Sequence, residues 1–129
     1  MIHASASIAK TAYRTTVQTG RHTLITDEPA DRGGQDVGPT PSELLAGALA
    51  SCTAITLRMY ADHKQWPLEA VHVDVTVKRA ADKSTSIDRV LRFEGDLTTE
   101  QSSRLADIAE RTPVTLTLKA GAEIRTTVA

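Results

Sequence analysis

Cysteine and aromatic residues are scarce in this sequence. A single cysteine, Cys52, excludes any disulfide within the chain and any zinc site built from cysteines. Aromatic residues make up only 3% of the chain (Tyr13, Tyr60, Trp66 and Phe93), too few for a base-stacking platform. Charge of either sign is not in excess: 15 basic and 16 acidic residues leave a net charge of −1. Without a basic field, neither nucleic acid nor an anionic membrane is an expected partner. The four histidines, His3, His22, His63 and His72, lack the spacing of a ligand set, and no metal or other cofactor is expected. The longest apolar run, Leu44 to Leu57, is interrupted by Ser51, Thr53 and Thr56. It falls short of the roughly 18–20 residues of a membrane span. The first residues show no basic segment followed by an apolar one, so no secretory leader is expected and the reading is cytoplasmic.

What is present is enough apolar material for a core: 129 residues, 40% of them hydrophobic, read as one domain over 1–129. Residues 7–19 alternate as a strand, and His22 to Thr26 returns as a second. Asp27 to Thr40 holds Pro29, Gly33, Gly34, Gly38 and Pro39 and reads as a long loop. Its glycine spacing resembles a phosphate loop, but Pro39-Thr40 stands where Lys-Ser/Thr is required. From Pro41 the period changes to three and four, predicting a helix capped by Ser42 that runs to about Lys64, ahead of Trp66-Pro67. Its first half is rich in small residues, which predicts a central helix packed on several sides.

Val71, Val73, Val75 and Val77 alternate with polar residues and predict a strand. After a polar turn at 80–86, Ile87, Leu91 and Phe93 predict its hairpin partner. A second helix starts at Thr98 or Thr99 with Gln101 placed for a capping box, and Pro113 interrupts it. Residues 114–118 alternate like a strand but also suit a helical turn, and Ala122 to Val128 reads as a last strand with Ile124 and Val128 inward. The order predicts an α+β fold with an antiparallel or mixed sheet. So long an apolar helix has too little sheet to cover it, which points to a second copy in a two-fold dimer.

Neither G-x-S-x-G nor S-x-x-K occurs, so no serine nucleophile is indicated. Cys52 remains. On residue chemistry alone it is a small side chain packing a helix, since free cysteine is among the most buried types. A reactive thiol here needs a nearby cation, and periodicity does not choose among the arginines.

The run from Gly38 to Ala61, GPTPSELLAGALASCTAITLRMYA, resembles the signature helix of the OsmC/Ohr family of osmotically inducible and organic hydroperoxide resistance proteins. Thr19 to Pro29, Lys64 to Glu69 and the Pro113 to Leu118 tail extend the resemblance to its OsmC-like branch. The resemblance implies a dimer of intertwined subunits whose sheets surround two central helices, with active sites at the interface. It implies Cys52 as the thiolate that attacks an organic hydroperoxide, Arg21 as the activating cation, and Glu43 as the carboxylate that orients Arg21. Hydroperoxide resistance members carry that carboxylate one position earlier, where this chain has Ser42. Two-cysteine members have a second cysteine directly before Pro-Val, and Thr112 stands there in this chain. A hydroxyl does not resolve a sulfenic acid, so regeneration requires an external thiol reductant. The alternative is a non-catalytic member that binds a small apolar ligand at the dimer interface, with Cys52 as packing.

Overall fold

The computed structural model describes all 129 residues, in two compact units, Met1–Leu45 and Ala46–Ala129. The N-terminal unit is a three-stranded antiparallel sheet, β1 (Ala4–Ile8), β2 (Thr15–Thr19) and β3 (His22–Thr26), in sequence order. The single strand expected over 7–19 is therefore two. The chain reverses after Ile8, with Ala12 at φ 45 and its N–H donating to the Lys10 carbonyl, a turn made without glycine or proline. β1 is exposed along its whole length.

The Asp27–Thr40 loop is ordered by one buried side chain. Asp27 is 2% exposed, and its carboxylate accepts the backbone N–H groups of Glu28 at 2.8 Å, Gln35 at 3.1 Å and Val37 at 3.3 Å. The loop does cradle an anion, but its own. Its glycines allow the wrapping: a Cβ on Gly34 would stand 1.8 Å from the Glu28 carbonyl oxygen, and one on Gly38 2.1 Å from that of Ile25. Burial alone raises the pKa of Asp27, yet the three N–H donors, aided by Arg14, outweigh it and hold the carboxyl below its ordinary value. A depressed carboxyl contributes stability that is complete above the unfolded value near 4 and is lost as pH falls through the folded value. Thermal melts should accordingly show wild type above Asp27→Asn at pH 7, with the gap shrinking below pH 4. A gap independent of pH would contradict the charged cradle.

Helix α1 spans Pro41–Lys64. Its cap is Thr40, two residues before the expected Ser42. Thr40 Oγ1 accepts the Glu43 N–H at 3.1 Å while Glu43 Oε1 accepts the Thr40 N–H at 2.9 Å, a capping box. Proline at the first helical position completes the start. With 24 residues, α1 is long and apolar enough to cross a membrane by length and composition, more than the Leu44–Leu57 run suggested.

In the C-terminal unit α1 is covered along one stripe only, Leu49, Thr53, Leu57 and Ala61, at successive intervals of four. The core joins Leu57 and Ala61 to Leu68, Leu105 and Ala109, with Val71, Leu91 and Phe93 packed against them. β4 (Leu68–Arg79) and β5 (Thr85–Gly95) form the predicted hairpin, and Val71, Val73, Val75, Ile87, Arg89, Leu91 and Phe93 take its less exposed side. Helix α2 (Thr99–Ala109) begins with the predicted Thr98–Gln101 capping box. Helix α3 (Pro113–Ala120) settles residues 114–118 as helix: Pro113 opens it and Thr112 caps it, and these local signals override the alternation. The last expected strand is absent. Residues 121–129 carry no secondary structure, and Ile124 and Val128 are 87% and 96% exposed, because no strand edge pairs with them.

Candidate active site

Cys52 lies on α1, half-buried, beside the covered stripe and one residue before Thr53. Its neighbour Thr53 is fully buried and donates to the Leu49 carbonyl at 2.7 Å. The Thr53 hydroxyl also accepts from Arg89, whose Nη1 lies 3.0 Å from Thr53 Oγ1 and 2.8 Å from Thr115 Oγ1. Thr115 in turn donates to the Ala109 carbonyl at 3.2 Å, and its hydroxyl stands 2.6 Å from that of Thr112. Three buried hydroxyls are thus satisfied by one guanidinium and two carbonyls, as buried polar groups require. The network ties the turn of α1 next to Cys52 to β5 and to the start of α3.

Thr112 has no exposure and serves as the α3 cap, so the position just before Pro113-Val114 is a structural hydroxyl rather than a thiol. Arg89 carries a second contact, Nη2 to Glu110 Oε2 at 3.0 Å, and Glu110 Oε1 accepts from Lys119 Nζ at 2.9 Å. The Lys119 and Arg89 contacts, in that order, hold the Glu110 carboxyl below its ordinary range.

The residues expected to assist Cys52 belong to the N-terminal unit. Arg21 is exposed in the turn between β2 and β3, and Glu43 is exposed in the first turn of α1 with one oxygen committed to the capping box. Arg21 and Glu43 thus belong to one compact unit and Cys52 to the other. Arg89, Thr53 and Thr115 were not anticipated from the sequence. The one available signal is Arg89 itself, a charge in register with Ile87, Leu91 and Phe93 on the inward side of a strand.

The sequence pattern of the OsmC-like protein family matches residues 33–127, and the chain belongs to that family. Cys52, Glu43 and Thr112 fall inside the matched residues and Arg21 outside them. The fold is shared with an OsmC-like protein from Mycoplasma pneumoniae at 18% identity, covering 92% of this chain and 87% of that one with a TM-score of 0.79. It is shared with an organic hydroperoxide resistance protein OsmC from Legionella pneumophila, at 21% identity over 92% and 89% of the two chains and a TM-score of 0.66. The organic hydroperoxide resistance protein OhrB of Bacillus subtilis aligns at 20% identity over 91% and 90%, with a TM-score of 0.60. A search of curated protein sequences finds no match.

Proposed function

We propose that this chain is a one-cysteine thiol peroxidase that reduces organic hydroperoxides. The observation that carries the reading is a lone thiol, half-buried on the core helix of a fold shared with organic hydroperoxide resistance proteins. The Cys52 thiolate attacks the distal oxygen of the hydroperoxide; an S–O bond forms, the O–O bond breaks, and the alkoxide leaves and takes a proton. Sulfur is oxidised by two electrons to the sulfenic acid and the peroxide is reduced to an alcohol. An external thiol then displaces water to give a mixed disulfide, and a second external thiol attacks it, freeing the Cys52 thiolate and leaving as the reductant's own disulfide. Hydroperoxide and two thiols become alcohol, water and one disulfide.

Arg21 stabilises the thiolate and the departing alkoxide, and Glu43 orients Arg21 through the oxygen that its cap leaves over. A homodimer suits the exposed apolar side of α1, where Ile55 is 52% and Met59 66% exposed. The family match runs across Leu45, which supports 1–129 as a single domain. The cytoplasm, where small thiols stay reduced, would supply the reductant. The test is the rate of iodoacetamide alkylation of Cys52 at pH 7 in wild type and in Arg21→Ala. A fall of about tenfold is expected for loss of an activating cation. Equal rates would remove Arg21 from the mechanism.

A further inference from the structure

A cleft of about 370 Å³ opens in the C-terminal unit between α1, β5 and α3, a volume within the range of small-ligand sites. Leu49, Ile87 and Leu118 form an apolar wall, while Arg89, Lys119 and Glu110 line the same space. Cys52 is not among the lining residues. From these we infer a binding site for a small amphipathic carboxylate, with its alkyl chain on the aliphatic wall and its head between Arg89 and Lys119. The inference does not depend on the reactivity of Cys52.

Two observations point to that chemistry. Arg89 occupies a strand position whose neighbours in register are apolar, and its side chain is only 12% exposed. A buried guanidinium is costly, and an apolar residue of similar volume would generally pack there as well or better. Within the chain its Nη1 is taken by Thr53 and Thr115, and only the exposed Glu110 carboxylate meets its Nη2, a place that a ligand carboxylate could take. Second, Arg89 and Lys119 converge on one carboxylate, that of Glu110, at 3.0 and 2.9 Å. Two cations and one anion leave an excess positive charge at an apolar cleft. Glu110 itself is 58% exposed and can swing into solvent, so it stands where an incoming carboxylate head would bind and competes with it.

The test is calorimetric titration of the full chain with sodium octanoate, with acetate, octan-1-ol and octylamine as comparisons. Octanoate is expected to bind once per chain, with each comparison at least about tenfold weaker because it lacks either the head or the chain. Lys119→Ala should weaken octanoate about three- to tenfold, and Glu110→Gln should strengthen it by a similar factor. Both side chains are more than half exposed, so neither substitution threatens folding. Opposite shifts in the two variants are the signature, since an ion pair with a purely structural role moves neither affinity. Absence of saturable binding, equal binding of octan-1-ol or acetate, or affinities unmoved in both variants would each overturn the site.

Discussion

Replacing Cys52 by serine should abolish thiol-dependent consumption of organic hydroperoxide, leaving only the slow reaction of the reductant with peroxide in buffer. The expected loss is roughly three orders of magnitude or more, the scale on which a nucleophile's removal is felt. A serine hydroxyl has no accessible oxidation state to carry the oxygen, so no residual cycle remains. Cys52 is the only cysteine in the chain, and a substitute thiol is absent. The fold should tolerate the change, because the covered stripe of α1 runs through Leu49, Thr53, Leu57 and Ala61 and passes beside position 52. Peroxide consumption is followed by ferrous-xylenol orange with dithiothreitol as reductant, and circular dichroism confirms the fold. Unchanged consumption in a folded Cys52→Ser protein would assign the activity, if any, to another group.

The second large effect is a gain. Thr112→Cys places a thiol at the start of α3, directly before Pro113-Val114, where the two-cysteine members of the family carry theirs. After one equivalent of organic hydroperoxide, the variant should condense its Cys52 sulfenic acid with the new thiol, releasing water and forming a disulfide. By intact mass, that product lies about 2 Da below the reduced protein, whereas wild type gains about 16 Da as the sulfenic acid. The change also has a cost. Thr112 accepts the Thr115 N–H and holds the Thr115 hydroxyl at 2.6 Å, so its loss should lower stability by about 1 kcal/mol. A variant that oxidises at Cys52 yet forms no disulfide would mean that the two positions lie beyond the roughly 7 Å Cα separation a disulfide allows.

The regular parts of this fold were legible where one period dominated. The valines of β4 and the capping box of α2 stand where patterning put them, because each rests on contacts within a few residues. The misreadings have separate causes. The turn at Ala12 carries no glycine or proline to announce it. At 122–128 the alternation had no strand edge to meet, whereas at 114–118, open between strand and helical turn, a proline and a threonine cap decide for helix. Ser42 was a credible cap, yet Thr40 with Glu43 three residues on forms the reciprocal pair.

The candidate site divides in the same way. Cys52 emerged by elimination and then by resemblance, since a lone thiol on a helix is visible in any reading. The Arg89 network was not visible, because it gathers Thr53 of α1, Arg89 of β5 and Thr115 of α3, separated by 36 and 26 residues. Only the misfit of a charge among Ile87, Leu91 and Phe93 hinted at it. The missing Lys-Ser/Thr after the glycine-rich loop was legible, but that its backbone N–H groups would turn to Asp27 required the folded backbone.

The central claim is that Cys52 is a peroxidatic thiol, and its direct test is the rate of Cys52 oxidation by cumene hydroperoxide and by hydrogen peroxide. A sulfenic-acid trap and intact mass detection read the product. Oxidation far faster than that of a free model thiol, with preference for the organic peroxide and a single trapped adduct on Cys52, is the predicted result. Oxidation no faster than the model thiol with either peroxide would contradict it and leave Cys52 as a packing residue of α1.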